Sequence, residues 1–255
     1  MMKLLRDTWL VFQRQALLQI RQPVWIVVGI FQPVMYLLLF APLLKPALST
    51  LGVRSDAEAY QVFVPGLLVL LAIFGGLSQG FGLIAELRAG IIERSRVTPI
   101  SRLALLLGRS LRDAMTLIVQ AVLITLLALF FGLRTQVAYL LLGYLMLALI
   151  ALMTSAISYG VALKVRSEDA LAPLMNTVAQ PVFLLSGILL PLALAPGWLQ
   201  SVAKFNPFSW SVEGIRALFA GDLSNDRVWQ GLLIVGLLAV LAVAWAGRSF
   251  ARTVR

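Results

Sequence analysis

Histidine and cysteine are both absent from this 255-residue chain. Any chemistry it performs must come from carboxylates, lysines, hydroxyls and amides. Imidazole acid–base catalysis, thiol nucleophiles, disulfides and Cys/His metal sites are thereby removed. No Ser/Lys or paired-Asp constellation lies inside the long apolar stretches, which argues against an intramembrane hydrolase. A phosphate-binding P-loop needs Gly-Lys before Ser or Thr, and none of the four lysines follows a glycine. If ATP drives this protein, another chain must hydrolyse it.

The ionisable residues concentrate in one internal segment, Glu86 to Asp113, which also carries Arg88, Glu93, Arg94, Arg96, Arg102, Arg109 and Arg112. Ile91 and Ile92 beside Glu93, Arg94 and Arg96 predict a short helix with one apolar and one charged side. Thr98 and Pro99 have the types that cap and begin a following helix. A short, mixed, stiff segment suits docking of a partner protein. It suits equally a solvated connector whose arginines set membrane orientation.

The elements around this segment are apolar. Six runs, Gln22–Leu44, Ala59–Ala85, Ala114–Leu133, Thr135–Leu163, Ala170–Ala203 and Val228–Gly247, hold no Asp, Glu, Lys or Arg. A hydrocarbon core about 30 Å thick is crossed by roughly 20 helical residues rising about 1.5 Å each. Each run has that length, so the chain is predicted to be an all-α integral membrane protein with six transmembrane helices. The composition is 60% hydrophobic and 13% charged, against roughly 25% charged in a soluble domain. The net charge of +10 lies at the ends of the runs, where it sets orientation rather than marking a nucleic-acid binder. One side carries fifteen Lys and Arg and the other six, which places both termini in the cytoplasm. The first run is longer than a signal-peptide core and no small-residue cleavage site follows it, so it reads as a retained span.

Residues 1–21 are not a span. Leu4, Leu5, Trp9, Phe12, Ala16 and Ile20 recur at helical spacing and are interrupted by Arg6, Gln13, Arg14 and Arg21, predicting an amphipathic helix in the cytoplasmic interface. Pro23 allows a turn into the first span. Gly76 and Gly80 form a GxxxG pair that permits close helix approach. Almost nothing but Arg134 joins the third and fourth runs, so they form a hairpin. The fifth run contains Pro173, Pro181, Pro191 and Pro196 with Gly187 and Gly197. It therefore reads as a span over 170–190 followed by a broken, outer re-entrant segment within an extracellular stretch, 191–227. Asn206 and Pro207 predict the cap and first residue of an outer helix stopped at Gly221. The spans' polar groups, among them Gln32, Gln79, Gln120, Asn176 and Gln180, are uncharged. Ion-coupled carriers generally need ionisable groups at this depth, although carbonyls at broken helices can bind sodium.

The segment Thr98-Pro99-Ile100-Ser101-Arg102, with Gly90 and Glu93 before it and Leu105-Leu106-Leu107-Gly108-Arg109 after it, resembles the permease subunits of type-2 ATP-binding-cassette (ABC) exporters. Daunorubicin-resistance-type drug exporters and nodulation-factor, polysaccharide and teichoic-acid exporters are among them. Leu185-Ser186-Gly187-Ile188, Pro191, Pro196-Gly197-Trp198-Leu199, Asn206-Pro207 and Glu213 to Arg216 resemble the family's outer segment. Where the family often has Gly-Thr-Leu-Glu, this chain reads Gly90-Ile91-Ile92-Glu93.

The resemblance covers essentially the whole chain as one transmembrane domain, and implies two permease chains, a homodimer, with two ATP-binding cassette subunits that hold ATP and Mg. It implies a coupling loop over 86–113, its cytoplasmic coupling helix contacting the cassette. Gly90, Glu93, Arg94, Arg96, Thr98, Pro99 and Arg102 are the candidate contacts, and the interfacial helix lies beside them. The substrate path would run between protomers, lined by Gln32, Tyr36, Gln79, Phe81, Asn176 and Gln180; each could equally serve a helix–helix hydrogen bond. Pro191, Trp198, Phe205, Asn206 and Phe208 are candidates for an outer gate, and the aromatic ones would also suit interfacial anchoring. The implied function is export of a hydrophobic or amphipathic substrate across a bacterial cytoplasmic membrane. A drug or antibiotic is the first reading, a lipid or lipid-linked glycan the second, and a sodium-coupled carrier the rival from another class. On this topology, cysteines placed at Trp198 and Lys204 react with an impermeant thiol reagent added outside intact cells. Labelling only from the cytoplasmic side overturns it.

Overall fold

A computed structural model describes residues 2–21, 23–48, 55–91, 101–188 and 191–253. The described residues are all-helical: α1 (Met2–Ile20), α2 (Pro23–Leu48), α3 (Asp56–Leu77), α4 (Gln79–Arg88), α5 (Arg102–Phe130), α6 (Val137–Val165), α7 (Glu168–Leu184), a 3-10 turn (Leu192–Leu194), α8 (Gly197–Ala203), α9 (Pro207–Ala220) and α10 (Asp226–Thr253). Among the described residues, four stretches are long and apolar enough to cross a bilayer: Ala57–Arg88, Arg102–Phe130, Val137–Val165 and Asp226–Phe250. The chain is therefore a multi-pass membrane protein. α2 contributes a shorter apolar stretch, Val27–Leu39, and α7 has 17 residues.

Local chemistry sets several boundaries. Ser55 and Glu58 form a reciprocal capping box at the start of α3. Ser101, rather than Thr98, caps the long helix that follows the charged segment, its Oγ accepting from Ala104 N at 3.1 Å. Thr98 and Pro99 lie outside the described residues. As the sequence predicts, Asn206 caps α9, Pro207 begins it, and Gly221 ends it with φ of 85°. α5 and α6 form the hairpin expected around Arg134, joined by residues 131–136.

Two boundaries differ from the expected runs. α5 begins at Arg102, so Arg109, Arg112 and Asp113 occupy its first turns instead of a loop. Uncharged runs end at the first charge, but a helix continues through charges that are paired, as these are. α7 stops at Leu184, short of the expected end near residue 190. The chain turns there because Gly187 adopts φ of 70°, and partners outside the helix, Asn206 Nδ2 and Ser186 Oγ, take the freed carbonyls of Val182 and Phe183.

α6 is the hub. It packs against α3, α4, α5, α7, α9 and α10, and its inner half is built from small residues: Ala151, Ser155, Ala156, Ser158, Gly160 and Ala162 are all buried. Lipid tails are as apolar as leucine, so helices in a bilayer associate through close packing and interhelical hydrogen bonds. The GxxxG pair of the second run meets this helix. A Cβ on Gly76 would overlap Thr154 Oγ1, and one on Gly80 would lie 2.6 Å from Ser158 Oγ. Gly75, one residue away, faces open space. Gly76→Ala is therefore expected to destabilise the detergent-solubilised chain by about 1–3 kcal/mol, the usual range for overpacking, while Gly75→Ala is neutral. Equal melting temperatures for the two variants would detach α3 from α6.

Candidate functional site

Three constructions involve the residues singled out by sequence: a broken span, a charged frame at the end of it that leads to the charged segment, called the inner end after the expected orientation, and a strap at the opposite, outer end.

The span Ala57–Arg88 is not one helix. α3 ends at Leu77 and α4 begins at Gln79, with Ser78 between them. A break inside a bilayer frees backbone groups that water cannot reach, and each one left unpaired costs several kcal/mol. Here side chains take them up. Ser78 Oγ and Gln79 Nε2 both donate to the Gly75 carbonyl, at 2.9 and 3.0 Å. From α6, Ser158 Oγ accepts from Gly80 N at 2.9 Å and donates to the Leu77 carbonyl. One turn earlier, Thr154 Oγ1 donates to Ala72 O at 3.1 Å. Hydroxyls four residues apart on α6 thus face both the glycine pair and the break.

α7 flanks this break. A cavity of about 90 Å³ lies between them, lined by Phe74, Ser78, Phe81, Met175, Asn176 and Ala179 among others. Phe74 and Phe183 meet edge to face at 6.0 Å. The structure brings together two of the six candidate path residues, Phe81 and Asn176. Gln79, the first residue of α4, is tied back across the break to the Gly75 carbonyl of α3. Gln32 on α2 and Gln180 on α7 are exposed at the surface of the single chain, and Tyr36 is half-buried against the core.

At the inner end, α4 is held on two sides. Glu86 pairs with Arg109 of α5, and Arg88 pairs with Glu168 at the start of α7, at 3.3 Å. One turn beyond Arg109, Asp113 is buried at 5% exposure. It pairs with Arg112 at 2.9 Å and accepts a hydrogen bond from Tyr159 Oη of α6 at 2.6 Å. The network joins the helix entering the charged segment to the helix leaving it, and ties both to the hub. Among the candidate coupling residues, Gly90 has φ of 66° just after α4, and Arg102 opens α5. Glu93, Arg94, Arg96, Thr98 and Pro99 lie outside the described residues.

At the outer end, Arg216 of α9 donates through Nε to Val62 O at 2.9 Å. Its Nη2 donates to Gly187 O and Ile188 O at 2.9 and 3.1 Å. Burial lowers its pKa from the ordinary arginine value to about 10, with nearby Glu213 opposing the shift, so it stays cationic at neutral pH. The Ile188 carbonyl also lies where a Cβ on Gly66 would sit. α3, the end of α7 and α9 are thereby strapped together. Of the outer-gate candidates, Trp198 and Phe205 are 69% and 91% exposed. Phe208 is buried in the core. Asn206 is also buried, and its Nδ2 donates to Val182 O of α7 at 2.7 Å. Pro191 lines an outer cavity of about 620 Å³ with Glu58, Glu213, Asp222 and Arg227.

Sequence reasoning missed Ser158, Tyr159, Asp113 and the role of Arg216. Thr154 and Ser158, spaced by four residues in an apolar run, were the visible signal for the break. Arg216 had the outward look of a topogenic charge. The inner network has a thermodynamic signature. Asp113→Ala strands Arg112 and should cost about 3–5 kcal/mol, whereas Tyr159→Phe removes one hydrogen bond to a charged group and should cost about 1.5–3 kcal/mol. Thermal unfolding of both variants and of the double variant checks this. The double loss should fall short of the sum, and strict additivity would show that the two side chains act independently.

The comparisons with known proteins agree with this architecture. The ycf38 protein of Cyanophora paradoxa, which carries a transport-permease name, is 28% identical over 202 residues, 78% of this chain and 69% of that one. Its namesake in Porphyra purpurea is 26% identical over 253 residues, covering 91% and 85%. The daunorubicin resistance ABC transporter permease DrrB1 of Streptomyces coeruleorubidus is 27% identical over 223 residues, covering 86% and 77%. Residues 6–220 match the ABC-2 type transporter family, and the chain belongs to that family.

Proposed function

We propose that this chain is the membrane-spanning permease subunit of an ATP-driven exporter. ABC-2 permeases normally work with an ATP-binding cassette subunit, and this chain has no P-loop of its own. The observation that carries the reading is the inner frame: Glu86–Arg109 and Arg88–Glu168 grip α4 immediately before the charged segment. Force applied to that segment by a closing cassette would reach α5, α6 and α7 together.

In this reading six spans act per chain: α2, the α3–α4 pair, α5, α6, α7 and α10, with both termini cytoplasmic in a bacterial inner membrane. Two chains and two cassettes, which hold the ATP and Mg, make the transporter. Gly90, Glu93, Arg94, Arg96, Thr98, Pro99 and Arg102 form the cassette contact. The substrate path runs along the faces of α2, α4 and α7 that carry Gln32, Tyr36, Gln79, Phe81, Asn176 and Gln180. Trp198 and Phe205 close its outer mouth with Pro191, while Asn206 and Phe208 hold the base of that closure. Uncharged polar and aromatic groups suit a hydrophobic or amphipathic cargo. The likeness to a daunorubicin resistance permease favours a drug or antibiotic over a lipid-linked glycan.

The test is co-expression with the genomic neighbours and purification in mild detergent. A stoichiometric ATPase is expected to co-purify, and Glu93→Ala with Arg96→Ala should weaken its retention while leaving membrane insertion intact. Purification of the chain alone, with no ATPase among its neighbours, would favour a sodium-coupled carrier. Stimulation of the bound ATPase by hydrophobic drugs, but not by lipid-linked glycans, would assign the cargo class.

A further inference from the structure

α1 divides lengthwise into three sectors. Asp7, Thr8, Val11, Gln15 and Gln19 recur at helical spacing on one side, and Asp7 and Val11 are buried. This side meets α5: a Cβ on Gly108 would lie 2.6 Å from Val11 Cγ1, and Gln19 Oε1 accepts from Arg112 Nη1 at 3.3 Å and Thr116 Oγ1 at 3.0 Å. A second sector holds Leu5, Trp9, Phe12, Ala16 and Ile20. Leu5, Trp9 and Ile20 are 69%, 53% and 64% exposed, and the rings of Trp9 and Phe12 pack at 5.1 Å. The third sector carries Lys3, Arg6 and Arg14, all exposed, with exposed Leu10 and Leu17 interspersed among them, and exposed Arg21 continues the same line beyond the helix end. At about 1.5 Å per residue, the row from Lys3 to Arg21 is roughly 27 Å long. The helix has one acidic residue, Asp7, and it points into the protein sector.

We propose that α1 is a docking strip for anionic phospholipid, its basic row receiving headgroup phosphates while the adjoining apolar sector enters the acyl region. The polar sector that an interfacial helix would normally give to water is divided here, half seated on α5 and half basic. An occupant must therefore supply negative charge beside hydrocarbon along the whole helix. A leaflet containing acidic lipid does so, and each basic residue near such a surface adds about 1 kcal/mol. A soluble acidic protein would cover the charges and leave Trp9, Leu5 and Ile20 in water. Because Val11 and Gln19 seat the helix on α5, lipid bound there also fixes the inner end of that span.

The test uses the full chain in nanodiscs of equal parts phosphatidylglycerol and phosphatidylcholine. Native mass spectrometry reads the ratio of the two lipids that stay bound on extraction. Enrichment of phosphatidylglycerol is expected, with a fall of at least about tenfold in that preference when Lys3, Arg6, Arg14 and Arg21 are all changed to Gln. Arg6→Lys with Arg14→Lys and Arg21→Lys keeps the charge and should keep the enrichment. Should the neutral variant not fold, salt decides the matter on the native chain: screening at 1 M, where the Debye length is about 3 Å, must erase the preference. Enrichment that survives neutralisation or high salt overturns the proposal. So does a neutral variant that keeps the enrichment but loses a cytoplasmic partner, which would assign the strip to a protein.

Discussion

A backbone carbonyl freed inside hydrocarbon has no water to turn to, and that constraint organises the fold around α6 and Arg216. The span that leads toward the charged segment is broken at Ser78, and the break persists because Ser158 serves a donor on one side of it and an acceptor on the other. An unbroken helix would have satisfied the same groups internally. The break therefore has a structural consequence: α4 is a separate ten-residue piece, packed on α6 in its own right while α3 contacts α6 and α9. The outer break after Leu184 is met by a hydroxyl, an amide and a guanidinium: Ser186 Oγ donates to Phe183 O, Asn206 Nδ2 to Val182 O, and Arg216 to Gly187 O and Ile188 O. Arginine suits that place, since its fork reaches three carbonyls on two segments at once.

Charge at the inner end follows a different logic. Glu86, Arg109, Arg112 and Asp113 lie in helices that otherwise read as spans, and burying them singly would be costly. Arranged as pairs with Tyr159 as a further donor, they become cross-links between neighbouring helices. Under the proposed coupling role this is useful, because ion pairs that join helix ends pass displacement between them, whereas a lipid-filled gap would not. The Arg88–Glu168 pair is more exposed than the Glu86–Arg109 pair. The Arg88–Glu168 pair is accordingly the more readily screened by water and salt.

Much of this was legible in the residues. Apolar runs located the helices because hydrocarbon rejects unpaired charge, and Asn206-Pro207 with Gly221 bounded α9 through local backbone chemistry alone. The apolar run left out the charged first turns of α5, because a charge-free window cannot see that Arg109 and Asp113 find partners on α4 and α6, residues far away in the chain. The same blindness hid Arg216. Its partners are backbone carbonyls, which every residue possesses, so no side-chain type elsewhere in the sequence points to it. The glycine pair at 76 and 80 announced a close approach, but its partner, the hydroxyl pair at 154 and 158, became identifiable only once the helices were placed together. Fold elements, then, were written locally, while the ties between them were not.

α7 shows where these ties run out. It is gripped at its first turn by Arg88 and at its outer end by Asn206 and the Arg216 strap, and among the described residues its main helix contacts are with α3, α4 and α6. Its exposed side carries Asn176, which borders the cavity beside Phe81, then Gln180 and Thr177, and farther round Leu174 and Val178. Exposed leucine and valine are at home against lipid, but two amides on the same face are not. Side-chain amides in hydrocarbon seek a partner on another helix, and the described helices of this chain present none to that face. A second copy related by a two-fold axis would bring the same face opposite itself, so that each amide meets its counterpart as both donor and acceptor. Asn176 on this face borders Phe81 and the break at Ser78, so a dimer formed there, as proposed above, would place the proposed path beside the span that α3 and α4 build in two pieces.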